Sequence, residues 1–246
     1  MIFISHRGES MDAPENTLPA FKLALERGSD GMECDIHLTR DKVLVTIHDS
    51  STARVGNKEL IVEETDFADL QSVDVSNGKA GYCNVQIPKF SETLQYLGKD
   101  RLFYVEIKAN DPDVIDAMVR EIDAAGIDKK QIVMISFYED IVRIYKERYP
   151  DRKALFLTAC TAESNGTWGP TAAELIERLK NMKADGVDIN GNPSFIKKEY
   201  VDAVKAAGFE FAVWTIDRKE IADLFIYYNV DAITSNCAAN LKNCCK

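Results

Sequence analysis

The amino-acid sequence predicts a (β/α)8 TIM barrel, a closed ring of eight parallel strands with helices around it. Short apolar runs rich in β-branched and aromatic residues recur along the whole chain of 246 residues, and segments of helical period separate most of them,. An open, doubly wound sheet is the competing architecture, but the glycine-rich loops GxGxxG and GxxxxGK are missing from the sequence,. The strand count and the alternation therefore favour the barrel.

Each strand is predicted at a short apolar run, and each helix where apolar residues repeat every three to four positions. The predicted strands cover residues 2–5, 30–36, 102–108, 132–136, 153–157, 186–189, 210–214 and 231–234. The predicted helices cover residues 16–27, 112–124, 139–148, 172–182 and 195–206. Asn16 and Ser194 are placed to cap two of these helices, and Gly28 and Gly208 follow helices where a left-handed residue is favoured,.

Two features interrupt this alternation. Residues 30–38 and 43–48 are separated only by residues 39–42, too few for a parallel crossover, so they predict an antiparallel hairpin,. With the turn centred on residues 40 and 41, Ile36 pairs with Val45 and Glu33 pairs with His48,. Residues 49–89 are too long for an ordinary βα loop, and they predict a small insertion over the C-terminal mouth of a single catalytic domain, residues 1–246.

The composition of the chain excludes several classes of partner. Acidic residues number 40 against 30 basic ones, giving a formal net charge of −10, and no basic run exists that would bind nucleic acid,. No apolar stretch approaches the roughly 18 residues of a membrane span. The six cysteines show no CxxC spacing, and the first twenty residues lack the basic start and apolar run of a signal peptide, so a cytoplasmic location is expected,.

Acidic residues lie where strands of the predicted barrel end. Glu33 and Asp35 share one face of their strand, and Glu106 and Lys108 share one face of the strand over residues 102–108,. An internal salt bridge would explain the last two, at a cost in desolvation. Three carboxylates at strand ends instead favour a site for one hard divalent cation, magnesium or calcium, because both ions prefer oxygen ligands.

The three histidines all fall within the first 48 residues. His6 ends the first strand and His48 ends the predicted hairpin, so both are placed beside the acidic residues. His37 lies further towards the hairpin tip and is predicted to be a bystander. The sequence alone therefore predicts two imidazoles next to a metal site.

These residues resemble the motifs of the glycerophosphodiester phosphodiesterase family, in its compact single-domain bacterial form. The resemblance covers essentially the whole chain and rests on His6-Arg7-Gly8, Pro14-Glu15-Asn16-Thr17, Glu33-x-Asp35, His48-Asp49, Glu106-Ile107-Lys108, Ser136-Phe137 and Val213-Trp214-Thr215. It departs from the family pattern at the hairpin turn (Asp41-Lys42), after His48-Asp49, and at Thr234-Ser235, where the family usually has Thr-Asp.

The resemblance implies a metal-dependent phosphodiesterase that hydrolyses glycerophosphodiesters to glycerol 3-phosphate and an alcohol. It implies general acid and base roles for His48 and His6, in an order that the sequence does not fix, and phosphate contacts from Arg7 and Lys108. The cation would be held by Glu33, Asp35 and Glu106. The nucleophile stays open between water and the glycerol 2-hydroxyl.

Several matched residues also have a purely structural interpretation. Trp214 is a candidate wall for the substrate or a core aromatic residue, and Phe137 is similar. Asp49 is an orienting partner of His48 or a turn residue. Asn16 is sufficiently explained as a helix cap.

Two other functions are weighed against the leading one. A lysophospholipase D-type hydrolase would need an apolar acyl groove in the insertion, but that segment is polar around residues 76–79. A non-catalytic protein that binds a phosphate ligand is disfavoured because no matched catalytic group is missing. The expected partner is therefore a small glycerophosphodiester.

Overall fold

The computed structural model describes residues 1–162 and 168–245, and within them eight parallel strands close into a barrel, which confirms the predicted fold class. The strands in chain order are β1 (Ile2–Ser5), β2 (Gly31–Leu38), β3 (Leu44–Thr46), β4 (Leu102–Ile107), β5 (Ile132–Ser136), β6 (Lys153–Thr158), β7 (Thr161–Ala162), β8 (Trp168–Gly169), β9 (Gly186–Asn190), β10 (Glu210–Trp214) and β11 (Ala232–Ser235). The order around the barrel is β1, β2, β4, β5, β6, β9, β10 and β11, and β11 pairs with β1 to close it. The short strands β7 and β8 form a separate antiparallel pair.

Helices follow most barrel strands and cover the outside of the ring. They are α1 (Leu18–Arg27), α2 (Phe67–Leu70), α3 (Phe90–Thr93), α4 (Pro112–Ala124), α5 (Glu139–Arg148), α6 (Ala172–Met182), α7 (Lys198–Ala206), α8 (Lys219–Tyr227) and α9 (Ala238–Cys244), with 3-10 turns at Val62–Glu64, Leu94–Tyr96 and Lys129–Gln131. The bounds of α4, α5 and α6 are those predicted. Over the described parts of the chain, no helix combines the length and the apolar character needed to cross a membrane.

The predicted helix caps are half correct. Gly28 and Gly208 follow α1 and α7 with φ of 80° and 91°, as predicted. Asn16 is not the cap of α1, because that helix begins at Leu18, after Thr17, and the Asn16 side chain instead binds Asp35. Ser194 is also not a cap, since α7 begins only at Lys198.

Two apolar layers support the barrel. The larger one fills the space between the strands and the surrounding helices. The smaller one fills the inside of the ring and includes Ile4, Tyr104, Val133, Leu155 and Ala212. Because side chains alternate along a strand, residues two positions further along these strands also point inward, at the C-terminal mouth. The mouth therefore lies above an apolar plug, as is typical of this fold.

The predicted hairpin is present, but its register is wrong by one residue. Strand β3 pairs antiparallel with β2, with Ile36 opposite Thr46 and His37 opposite Val45. The loop holds three residues instead of two, because the Thr39 amide donates to the Val43 carbonyl and closes the hairpin around residues 40–42,. Lys42, the last loop residue, has a φ of 62°. Glu33 and His48 are therefore not cross-strand partners.

The segment over residues 49–89 has a small apolar cluster of its own. Val55, Val62, Leu70 and Val73 pack together there and against Val45 of the hairpin. Helix α2 lies within this segment and supplies Leu70 to the cluster. This packing fixes the segment beside the hairpin, where its Asp49 contacts His48 and its Arg54 contacts Asp49.

Candidate active site

Three buried carboxylates meet at the C-terminal ends of β2 and β4. Glu33, Asp35 and Glu106 each offer an oxygen, and these oxygens lie within 4.8 Å of one another. The parallel register of the two strands places Asp35 directly beside Glu106, and Glu33 lies two residues earlier on the same face of β2. We call these three residues the carboxylate cluster.

Neighbouring backbone and amide groups hold the carboxylate cluster in place. The Arg7 backbone amide donates to Glu33 at 2.8 Å. The Asn16 side chain donates to the Asp35 carboxylate at 2.7 Å and accepts from the Asp35 amide at 3.1 Å. Asn16, whose backbone has a φ of 57°, therefore acts as a clamp on Asp35.

Two cations accompany the carboxylate cluster. Arg7 Nε lies 3.3 Å from Asp35, and Lys108 Nζ lies 2.8 Å from Glu106 and 3.6 Å from Asp35. Burial raises the pKa of Asp35, but Arg7 and Lys108 outweigh it and hold that pKa below its ordinary value. Burial and then Asp35 raise the pKa of Glu106 to about 8 and that of Glu33 well above its ordinary value. The cluster thus resists carrying three charges without a further cation.

The carboxylate cluster fits a hard divalent cation. Asp35 Oδ1 is buried and has no hydrogen-bond partner within the described residues. It is one of three convergent oxygens, and oxygen donors are the ligands that magnesium and calcium prefer,. A bound cation would satisfy that atom and would also remove the repulsion that raises the pKa values of Glu33 and Glu106.

His6 is anchored at the end of β1 by residues that follow the last two barrel strands. Its Nδ1 lies 2.7 Å from Asn236 Oδ1. The Asn236 amide nitrogen donates to Asp217 at 2.7 Å, which turns the amide oxygen towards His6. This arrangement places the proton of a neutral imidazole on Nδ1 and the lone pair on Nε2. Burial and then Arg7 lower the pKa of His6 to about 4.

His48 is anchored by a second network. Its Nδ1 lies 2.6 Å from Asp49 Oδ1, and Arg54 donates to the other Asp49 oxygen at 2.6 Å. Arg54 also donates two hydrogen bonds of 2.8 Å to Glu15. His37 lies behind this network, where its Nε2 is 3.2 Å from the His48 carbonyl oxygen. The segment over residues 49–89 thereby supplies the groups that orient His48.

These anchored side chains border one cavity of about 280 Å³ at the mouth of the barrel. Its lining includes the predicted site residues His6, Arg7, Glu33, His48, Glu106, Lys108 and Trp214. Phe137 and Trp214 meet edge to face in its wall, with ring centroids 5.7 Å apart, and Phe137 is 43% exposed. The structure therefore brings the predicted site residues together, with Asp35 directly behind the lining in the carboxylate cluster.

Sequence reasoning missed several residues of this site. Asp188 and Thr234 line the cavity from β9 and β11, and Arg54, Asp217 and Asn236 orient the histidines. Asp188 carried a signal in the sequence, since it is an acidic residue within an apolar strand, as Glu106 is. Thr234 stands out only within the Thr234-Ser235 pair, where the sequence departs from the family pattern, and the three loop residues carry no signal because polar residues are common in loops.

Comparison with known proteins finds similar sequences in one family. A model of the glycerophosphoryl diester phosphodiesterase family matches residues 6–239. A glycerophosphodiester phosphodiesterase of Caldanaerobacter subterraneus is 30% identical over 98% of this chain and 96% of the relative. Another from Bacillus altitudinis is 25% identical over 93% of this chain and 91% of the relative.

Solved structures share the fold. A phosphodiesterase of Oleispira antarctica, in complex with the product sn-glycerol-3-phosphate, superposes with a TM-score of 0.87 at 24% identity, covering 99% of this chain and 96% of that one. A glycerophosphodiester phosphodiesterase of Thermotoga maritima superposes with a TM-score of 0.78 at 21% identity, covering 99% and 98%.

Proposed function

Because the chain belongs to the glycerophosphoryl diester phosphodiesterase family and is therefore a phosphoric diester hydrolase, we propose that it hydrolyses small glycerophosphodiesters to sn-glycerol 3-phosphate and an alcohol. The observation that carries this proposal is the single cavity bordered by two anchored imidazoles and the carboxylate cluster. The reaction needs one divalent cation, magnesium or calcium, and a general acid and base.

Glu33, Asp35 and Glu106 would hold the cation, and their three convergent oxygens support this assignment. A divalent cation bound there supplies Lewis-acid stabilisation of the charge that develops on the phosphate oxygens. Asn16 and the Arg7 amide keep the ligand oxygens in position.

Arg7 and Lys108 would bind the phosphate from the sides of the cluster. Both line the cavity, and both are partly buried, so their charges are weakly screened,. The guanidinium of Arg7 offers a planar fork and the ammonium of Lys108 a point charge, so the two contacts are not equivalent. Together they would stabilise the additional charge of the transition state.

The two histidines would divide the proton transfers. A His6 imidazole with a pKa of about 4 is neutral at physiological pH, and its Nε2 lone pair would take the proton from the attacking hydroxyl, of water or of the glycerol,. His48, held through Nδ1 by Asp49, would in its imidazolium form donate its Nε2 proton to the oxygen of the departing alcohol,. Trp214 would form the wall against which the substrate packs.

The test is to incubate the purified protein with glycerophosphocholine and magnesium or calcium, and to measure the release of sn-glycerol 3-phosphate. We expect chelation to abolish release, and His6→Ala and His48→Ala each to lower kcat by about 10²–10⁴-fold while the circular dichroism spectrum stays unchanged. Full activity in either variant contradicts the acid and base assignment. Faster cleavage of lysophosphatidylcholine than of glycerophosphocholine would support the lysophospholipase D-type function instead.

A further inference from the structure

The cavity has a second polar region, on the wall opposite the carboxylate cluster. Asp188 lies on β9, which is four strands from β2 in either direction around the barrel. Thr234 lies on β11, and Ala212 of the intervening β10 is too small to fill the space between the two side chains,. Both Asp188 and Thr234 line the cavity, and the mechanism proposed above uses neither.

Two polar side-chain atoms of this region lack a hydrogen-bond partner among the described residues. Asp188 is 1% exposed and Thr234 is 2% exposed. Asp188 Oδ1 and Thr234 Oγ1 are both buried without a hydrogen-bond partner in the part of the chain that the structure describes. A buried polar atom left without a partner is destabilising, so two of them in one cavity indicate a ligand group that completes them.

The chemistry of the two atoms indicates a hydroxyl group. The Thr234 hydroxyl can donate a hydrogen bond, Asp188 Oδ1 can accept one, and a ligand hydroxyl does both. Burial alone raises the pKa of Asp188 to about 8, so the region is close to neutral at physiological pH and suits an uncharged polar group. The Trp214 indole donates to the Asp188 carbonyl at 3.1 Å and so forms a rigid side of this region.

We infer that Asp188 and Thr234 bind the terminal hydroxyl of the glycerol substituent and so contribute to substrate selection. The inference rests on the proposed function. With the phosphate at the carboxylate cluster, the terminal hydroxyl is the glycerol atom that reaches furthest across the barrel. The departing alcohol then lies towards the open mouth, beside the exposed Phe137 ring.

The test compares glycerophosphoethanolamine with its analogue that lacks only the terminal hydroxyl and keeps the 2-hydroxyl. We expect the wild-type enzyme to prefer the complete substrate by about tenfold or more in kcat/KM, since loss of the hydroxyl leaves two buried atoms unpaired. Thr234→Val and Asp188→Leu should reduce this preference to about threefold or less, and Asp188→Asn, which keeps a polar side chain, should retain part of it. Thr158→Val is the matched control, since Thr158 is buried on β6 but borders a different pocket.

An unchanged preference in Thr234→Val and Asp188→Leu would overturn the inference. So would a preference that follows the charge of the departing alcohol, measured with glycerophosphocholine against glycerophosphoglycerol, because that result assigns Asp188 to an ammonium group. If the wild-type protein cleaves bis(p-nitrophenyl) phosphate but no glycerol diester, the proposed function fails separately. Calorimetric binding of sn-glycerol 3-phosphate against 2-hydroxypropyl phosphate then decides the inference by itself.

Discussion

The raised pKa of Glu106, a ligand in the proposed metal site, predicts that this carboxyl destabilises the metal-free protein as the pH rises. Burial and then Asp35 raise the pKa of Glu106 from its ordinary value of 4.5 to about 8 in the folded chain. Between these pH values the folded chain keeps a proton that the unfolded chain has lost. The wild-type protein therefore loses stability as the pH rises from 4.5 to 8, by about 4 kcal/mol for this one group.

Glu106→Gln removes this pH dependence, because glutamine resembles the protonated carboxyl and does not titrate. In the presence of a chelator, we expect the variant to gain about 4 kcal/mol over the wild-type protein between pH 4.5 and pH 8. For a domain of this size, the difference in Tm between the variant and the wild-type protein should therefore be roughly 8–16 °C larger at pH 8 than at pH 4.5. Using the change between two pH values cancels any packing effect of glutamine that does not depend on pH.

The assay is thermal unfolding followed by circular dichroism at both pH values. Glu59→Gln, at an exposed position of the 49–89 segment, serves as the control and should show the same Tm difference from wild type at both. A Glu106→Gln variant whose Tm difference is the same at pH 4.5 and pH 8, or larger at pH 4.5, would refute the reasoning. Saturating magnesium or calcium at pH 8 should reverse the order, since only the wild-type protein keeps all three carboxylates.

Three further outcomes are expected. A divalent cation at 100 times its Kd should stabilise the wild-type protein by about 2.7 kcal/mol, or roughly 5–11 °C in a thermal shift assay, and no shift with either ion would contradict the metal site. At saturating metal, the acid limb of kcat/KM should lie below pH 6, because a base works only when neutral and the pKa of His6 is lowered to about 4; a limb at pH 6.5 or above would remove His6 as the base,. Asn236→Leu should lower kcat about tenfold and leave KM within twofold, because it removes the acceptor that orients His6 and contacts no substrate atom in the proposed mechanism,. Ser194→Ala, at an exposed position, is its control, and an unchanged kcat in Asn236→Leu would assign Asn236 a structural role only.

Local sequence patterns predict a helix or strand of this fold well where no tertiary contact changes its ends. Helix α6 has its predicted bounds because Thr171 and Glu174 form a capping box at the start of an amphipathic segment,. Asn16 shows the limit of such reasoning, because an asparagine side chain serves equally as a helix cap or as a clamp on Asp35, and only the tertiary structure decides between them. The hairpin register was predicted wrongly because the loop contains three residues and not two. The hydrogen bond from the Thr39 amide to the Val43 carbonyl fixes that loop length, and the sequence pattern does not reveal it.

In the candidate site, too, local patterns predict some residues, whereas others are brought together only by the tertiary structure. The carboxylate cluster could be predicted because strand parity and the β2–β4 pairing bring Asp35 and Glu106 together. The predicted pairing of Glu33 with His48 was wrong, yet both residues border the cavity, since chain direction and barrel closure place them there. Asn236 could not be predicted as the partner of His6, because the two positions are separated by 230 residues and meet only when the barrel closes.

The hydrogen bond between His6 and Asn236 bears on when the site forms during folding. The His6 imidazole and the Asn236 amide that orients it are separated by 230 residues of the chain. Contacts at such a distance along the chain form late, since they require closure of a large loop. A growing chain that has not yet reached Asn236 should therefore lack the partner that orients the His6 imidazole.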